Sequence, residues 1–451
     1  MCVADLDSLA ALGRLHDYRD RLWARDEPLD QYYNGRHRLR QLGLAVPPEL
    51  SMFETVVNWP RLTVDSLEAR LDLKTFYLPD GSRADAVLEG WAYNNLDSEA
   101  SLAHLDALIY GRSFIVVGRN SEDPDHPLIT VESPREITVE IDHHRRRISR
   151  ALRVYGCDDS GRTTNATLYE PDRTIWYVRS TATGQWVESD RDDHRLGRVP
   201  IVMMVNRRRA GRFDGVSEMD DVIGLTDAAS RALTNLGVAA ETHAIPAKHV
   251  AGVSKGDFVG SDGKPLPVWE SYFTAIMATA NKDAKFGQFA ASDLKNFHDT
   301  VHHYASLVAS VTKMPATYLG LTTQNPASAD AIRSAEAPHV KLAERKQKAF
   351  GDSWAWVASL YEFFRTKSWE SGAAIRAEWH DAATPTTAAR ADAIVKLNGG
   401  QPVLSREGSW DELGWSEARK RTEQERFERE ARDPELLHTI RELAVGGPGG
   451  A

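Results

Sequence analysis

The stretch Val216–Asp330 constrains this chain most, because two long amphipathic segments flank one that cannot be helical. The first reads VSEMDDVIGLTDAASRALTNLGVAAETHA. It sets Met219, Val222, Thr226, Ala229, Leu233, Leu236 and Ala240 three or four residues apart, the spacing of one helix face. Ser217 is placed to cap its start, Asp220 falls near the positive end of the dipole, and Pro246 stops it. The second, Ser292–Met314, repeats the spacing with Leu294, Phe297, Val301, Tyr304, Val308 and Val311, and Pro315 ends it. At a rise of ~1.5 Å per residue each helix is roughly 35–40 Å long. The intervening PAKHVAGVSKGDFVGSDGKPLPVWE is too rich in Gly and Pro for helix and reads as short strands and turns. The pattern predicts two antiparallel helices carrying a small head, followed by the polar loop MPATYLGLTTQNPASAD.

Around this feature the 451 residues have room for two or three domains with ample core. An apolar content of 42% with 27% charged residues is ordinary for a soluble protein. No apolar run approaches the ~20 residues of a membrane span, and MCVADLDSLAALGRL carries acids where a signal peptide needs bases, so the expected setting is the cytoplasm. Cys2 and Cys157 are too few for a disulfide framework or a thiolate zinc site. A formal charge of −10 disfavours tight non-specific binding to nucleic acid.

Taken in order, Leu6–Leu42 reads as helix and Asn58–Leu71 as a shorter one with Asp65 as its cap. Ala84–Asn95 and Asp97–Tyr110 read as two more, leading into the strand SFIVVG. From Leu128 to Asn206 the segments LITVE, EITVEID, ISRALRVYG, TNATLYE, TIWYVR, QWVES and RVPIVMMVN alternate with turns such as DDSG, EPD and TATG. This is the pattern of an antiparallel, half-exposed β domain. A basic run, Arg207, Arg208, Arg209 and Arg212, separates it from the first long helix. After the polar loop, Ser328 starts a helix reaching about Lys367, with Pro338 expected to kink it and an aromatic second half expected to be buried. A strand in AAIRAEWHD and further helices over Thr384–Leu443 complete the chain, the last helix carrying Glu417/Arg421, Glu425/Arg429 and Glu428/Arg432 at i,i+4. The tail VGGPGGA reads as disordered.

Motifs for chemistry are lacking. Gly260-Ser-Asp-Gly-Lys-Pro265 has neither the glycine spacing nor the Ser/Thr of a phosphate loop and reads as a turn. His298 and His302 stand i,i+4, but Asp299 replaces the Glu of HExxH, so a solvated or packed pair is the plainer reading and no metal site is expected. Asp142-His143-His144 beside Arg145–Arg147 reads as a charged turn. No serine lies in GxSxG, Cys157 has no activating neighbour, and no catalytic residue or cofactor is expected. The basic run Arg207, Arg208, Arg209 and Arg212 reads as a solvated linker or a subunit-interface patch, with a DNA-facing role as the sharper alternative. Gln347 and Lys348 are expected to face solvent.

A family resemblance rests on several pieces in a fixed order. They are YYNGRHRL (Tyr32–Leu39), ALIYGRSFIVVG (Ala107–Gly118), SPREITVEID (Ser133–Asp142), LGRVPIVMMVNR (Leu196–Arg207), and KMPATYLGL followed by NPASADAIRSAE. With them the chain, from about Leu29 to Arg432, resembles the portal proteins of tailed double-stranded-DNA bacteriophages, of the siphophage type. The resemblance implies an α+β, mainly helical portal fold with wing, stem, clip and crown, assembled as a ring usually of twelve subunits. Residues 1–215 would form the wing, 216–244 and 291–314 the stem helices, and 245–290 the clip. Residues 315–329 would form the tunnel loop, 328–383 the kinked long helix and a wing strand, and 384–451 the crown.

The implied residues follow from the same resemblance. Thr317, Tyr318, Leu319, Thr322, Gln324 and Asn325 would approach DNA in the channel. Lys248, Lys255, Asp257, Lys264 and Trp269 would form the clip docking surface. Partners would be other copies of the chain, the terminase large subunit, major capsid and scaffolding proteins, a head–tail adaptor and the DNA itself, in a virion assembled in the host cytoplasm. Acidic channel walls would repel DNA, a range that screening limits to roughly 8 Å at physiological salt. Small residues along the stem stripes (Ala229, Ala232, Ala239, Ala240) would let neighbouring helices approach closely. The alternatives are another phage head component, such as a minor capsid or adaptor protein, a metal-dependent hydrolase built on His298 and His302, or a regulatory helical protein.

Overall fold

The computed structural model describes residues 6–38, 54–244, 248–251, 285–288, 294–321, 328–369 and 374–432, in two compact units, residues 1–382 and 383–451. Gly260–Pro265 and the tail VGGPGGA lie outside the described residues.

In the first unit, helix α1 (Leu6–Tyr33) ends well short of Leu42, because Gly35 takes a left-handed φ of +66° and its N–H bonds back to the Tyr32 carbonyl at 3.2 Å. Its apolar face buries Leu12 and Leu15 against Leu152, Leu168 and Ile175 of a five-stranded sheet. Helix α2 (Trp59–Glu68) starts at Asn58, whose side chain accepts the Arg61 N–H at 3.3 Å ahead of Pro60. Asp65 is therefore no cap. It sits inside the helix, accepting from Tyr33 Oη at 2.9 Å and pairing with Arg61. Helices α3 (Asp85–Tyr93) and α4 (Leu96–Tyr110) follow, with a short strand β1 (Leu73–Tyr77) before them.

The expected single β domain divides in two. Strands β4 (Ile137–Asp142), β5 (Arg147–Cys157), β6 (Thr163–Tyr169), β7 (Thr174–Arg179) and β8 (Trp186–Asp192) form an antiparallel meander in chain order. Strands β3 (Leu128–Glu132) and β9 (Ile201–Val205) instead flank β2 (Arg112–Gly118). Most of β2 and β9 is apolar and buried, so these strands need cover on both faces, as in the centre of a packed layer.

Helix α5 (Asp220–Ala244) is followed by a two-stranded ribbon of β10 (Lys248–Ala251) and β11 (Lys285–Gln288). Helix α6 (Lys295–Thr312) returns, and Lys313 at φ +60° closes it in the left-handed region, before Met314. A 3-10 turn (Ala316–Leu319) leads to the long helix α7 (Ala329–Thr366), capped by the Ser328 side chain on the Ala331 N–H at 3.2 Å and carrying Pro338 inside. Strand β12 (Arg376–Trp379) pairs antiparallel with β1, Leu73 opposite Trp379. The apolar second half of α7 completes the main core: Phe350, Trp354, Leu360 and Tyr361 pack with Trp91, Leu108 and Ile115. Gln347 is buried rather than solvent-facing, since its amide donates to the Arg70 carbonyl at 2.8 Å and the His380 carbonyl at 3.0 Å. Lys348 is exposed as expected.

The second unit contains α8 (Thr387–Asn398), α9 (Arg406–Glu412) and α10 (Glu417–Arg432). Thr386 and Ser405 cap the first two with their hydroxyls. Trp410 stacks with Trp415 and Phe427 at 5.7 and 5.9 Å between centroids, and Arg432 reaches Glu428 at 3.8 Å.

A buried histidine and a half-buried aspartate give stability an opposed pH dependence. Trp354 donates its indole N–H to His104 Nε2 at 2.9 Å, and burial pushes the His104 pKa down to about 3. The unfolded chain therefore takes up a proton near pH 6.5 that the folded chain refuses, and the stability it contributes above that pH is lost as pH falls toward 3. Asp106 acts in the other sense: burial, then repulsion from Asp30, raises its pKa to about 7, so its contribution falls as pH rises from about 4 to 7. Comparison of the wild type with His104→Gln isolates the first. Urea unfolding should show the wild type losing up to about 1.4 kcal/mol per pH unit relative to the variant between pH 6.5 and 4. Parallel pH curves would refute the assignment.

Candidate functional site

The start of α5 is locked to the core where three chain segments cross without room for side chains. Gly111, at φ +83°, and Gly215 meet backbone to backbone: a Cβ on Gly215 would lie 1.8 Å from the Gly111 carbonyl oxygen. Asn206 bridges them, its N–H donating to Gly111 O at 2.9 Å and its side-chain amide donating to Val216 O at 2.8 Å and Glu218 at 3.0 Å. Lys346, from the middle of α7, completes the knot with bonds to Asn206 Oδ1 at 2.6 Å and Glu218 Oε2 at 2.7 Å. Burial lowers the Lys346 pKa, and the Glu218 carboxylate opposes that shift. Ser217 serves the turn just before the helix, its hydroxyl accepting the Met219 N–H at 3.1 Å.

Along α5, Met219, Val222, Thr226 and Ala229 are buried as the periodicity predicts, whereas Leu233, Leu236 and Ala240 are only half-covered. On α6, Val308 is buried with Val222 and Met314, but Val311 is 48% exposed and Leu307 37% exposed. The expected stripe thus fails at Val311. Thr312, one residue on, takes the inward position and returns its hydroxyl to the Val308 carbonyl at 2.7 Å. His298 and His302 are exposed, and no cluster of potential metal ligands exists among the described residues.

The base of the following loop is anchored to the core. Arg70 donates to Tyr318 Oη at 2.9 Å and to the Ala382 carbonyl at 2.5 Å, and Tyr318 donates to Glu336 at 3.2 Å. Tyr318 and Leu319 are half-buried and pack toward Val222 and Val308, so of the three expected channel residues here only Thr317 is exposed. Thr322, Gln324 and Asn325 lie outside the described residues, as do Lys255, Asp257, Lys264 and Trp269, while Lys248 opens β10.

The basic run meets a second basic turn distant in sequence. Arg207 pairs with Asp221 at 2.8 Å, and residues 209–212 close a tight turn through the Arg212 N–H to Arg209 carbonyl bond at 3.1 Å, with Gly211 at φ +78°. Arg208 stands over the Phe213 ring at 5.7 Å, and His143 of the β4–β5 turn packs edge-on to the same ring at 5.2 Å. In that turn Asp142 Oδ1 accepts the His144 and Arg145 N–H groups at 3.0 Å each, which presents Arg146 and Arg147. Between the turns lies a cleft of about 440 Å³ whose walls carry Arg146, Arg147 and Arg208 together with one acid, Asp352, over an apolar floor that includes Ile148, Ile201 and Trp356. Arg198 lines it too, stacked over Trp356 at 4.8 Å. Each arginine cluster was legible alone. Their convergence, and the part played by Arg198 and Trp356, was not, because the contributing segments lie tens to hundreds of residues apart.

Residues 15–435 match the family described as phage portal protein, SPP1 Gp6-like. The portal protein of Mycobacterium phage D29 is 36% identical over 411 residues, covering 88% of this chain and 84% of the relative. The portal protein of Mycobacterium phage L5 matches with the same identity and coverage. Among solved structures, a chain from the neck of a native gene transfer agent particle computed with C12 symmetry aligns with a TM-score of 0.44 at 16% identity, over 83% of this chain and 94% of that one. A chain from the virion of a native gene transfer agent particle gives 0.41 at 16% identity, over 84% and 92%.

Proposed function

Because this chain belongs to the SPP1 Gp6-like phage portal family, we propose that its copies form a ring of about twelve subunits at one capsid vertex, through which double-stranded DNA is packaged and later ejected. The observation that carries this reading is the portal match along 88% of the chain. It favours the portal over another head component, since both curated relatives bear the name portal protein. Residues 1–215 serve as wing, α5 and α6 as stem, 245–290 as clip, 315–329 as tunnel loop, and residues from 384 as crown. The protein acts as a conduit and a docking ring in the virion, without chemistry of its own. Terminase and then the head–tail adaptor dock at the clip, and capsid and scaffolding proteins surround the wing.

Two features support the assignment. The exposed Leu307 and Val311, one turn apart on α6, make an apolar strip that an isolated subunit leaves wet and a neighbouring stem helix would cover. The knot of Lys346, Asn206 and Glu218 ties the stem's origin to α7, and Arg70 with Glu336 fixes the foot of the tunnel loop, so stem and loop have firm supports.

Particles assembled with Thr322→Ala, Gln324→Ala and Asn325→Ala test this reading. Micrographs should show a ring at a single vertex, and the packaged DNA should be shorter or scarcer than in wild-type particles. Rings absent from the vertex would reject the portal role. Full-length genomes in the variant would reject the tunnel-loop assignment.

A further inference from the structure

We infer that the basic cleft between the β4–β5 turn and the 208–213 turn receives the acidic β8 edge of a neighbouring copy of this chain. The inference rests on the ring reading for the existence of a neighbour. The occupant is argued from charge and topology. A closed ring of identical copies needs a heterologous contact, in which one patch complements a different patch of the same chain. β4 and β8 are the two edges of one five-stranded sheet, roughly 19 Å apart at ~4.8 Å per strand. The β4–β5 turn at one end of that sheet carries Arg145, Arg146 and Arg147, whereas β8 at its far edge is net acidic.

Arg208 lines the cleft, and Arg209 and Arg212 line the depression that adjoins it at Arg146, Arg208 and Phe213; all three are exposed, and among the described residues no carboxylate pairs with any of them. At the far edge, β8 carries Glu188, Asp190 and Asp192, with Asp193 just beyond. Glu188 is held by Arg191 at 2.9 Å, whereas Asp190 and Asp193 are exposed and form no ion pair among the described residues. Val187 and its cross-strand neighbour Val178 are 47% and 44% exposed on the same edge, apolar surface matched to the Ile148, Ile201 and Trp356 floor. Unlike charges around apolar contact give register as well as affinity.

The shape disfavours DNA as the occupant. A concavity of about 440 Å³ takes a few side chains, and a duplex spanning its rim would leave the apolar floor unfilled.

A charge-exchange experiment on the full chain tests the pairing. One variant carries Arg208→Glu, Arg209→Glu and Arg212→Glu; a second carries Asp190→Lys, Asp192→Lys and Asp193→Lys; a third carries all six. Each is checked for wild-type circular dichroism and melting, then weighed by native mass spectrometry at concentrations where the wild type forms rings. The first two should each lose ring assembly at least tenfold. An equimolar mixture of them should restore it, because each cleft then meets an edge of opposite sign, and so should the third variant alone. Rings from either single-patch variant at the wild-type concentration would overturn the inference, as would failure of both the mixture and the third variant to assemble. If the first variant keeps its rings but loses wild-type binding to a duplex oligonucleotide, the cleft belongs to DNA and the inference is overturned. Absence of rings from the wild type itself would strike at the portal reading instead.

Discussion

Gly215→Ala should destabilise the subunit by at least about 3 kcal/mol, the upper part of the range for forced overpacking. The reason is geometric: the new Cβ would meet the Gly111 carbonyl oxygen at 1.8 Å and the Asn206 carbonyl oxygen at 2.5 Å. Both obstacles are backbone atoms held in the hydrogen-bonded crossing that starts α5, so no side-chain rotation relieves them. Gly81→Ala supplies the comparison. Gly81 has a left-handed φ of +85°, which Gly215 lacks, but nothing within 4 Å of its Cβ position, so it should cost only the left-handed strain, about 1–2 kcal/mol. Urea unfolding of the unassembled subunit reads both. A cost for Gly215→Ala no greater than that for Gly81→Ala would show that the crossing yields, and that the close approach of residues 111 and 215 does not hold the stem in place.

Lys346→Met should cost about 3–5 kcal/mol, because it strands the Glu218 carboxylate in a buried site with only Asn206 to solvate it. Lys346→Met combined with Glu218→Met should recover much of that loss, since replacing both members of a buried pair is often close to neutral. The signature is non-additivity: the double variant more stable than Lys346→Met alone. A single variant that loses less than about 1 kcal/mol would mean that Glu218 finds water or another donor, and the knot would then be a minor support. The same unfolding measurement decides it. Loss of the knot should also loosen the origin of α5 from α7, which hydrogen exchange at the Glu218 N–H, bonded to Leu108 O at 2.8 Å, would detect.

Residue patterns close in sequence were readable without coordinates. The helical repeat that begins Met219, Val222, Thr226, Ala229 specified α5 and its inward face, Ser328 marked the start of α7, and the alternating segments from Leu128 marked strands. These features depend on local sterics and on which side of one element is apolar. The ordered pieces that resemble phage portals led to the family that the chain does match over residues 15–435.

Tertiary structure alone decided what depends on partners far along the chain. Strand β1 is only five residues, and its partner β12 lies some 300 positions away, so nothing local announced the pair. Gln347 looked like a surface residue on a charged helix until two carbonyls, from Arg70 and His380, came within reach of its amide. Val311 had the spacing of a buried residue, yet burial depends on what stands opposite, and the described residues leave it 48% exposed. The helix–insert–helix of Val216–Asp330 was thus determined as a pair of amphipathic rods by periodicity alone. Its anchorage through Gly111, Gly215 and Lys346, and the meeting of two basic turns beside it, were decided by contacts between distant segments, which no local pattern encodes.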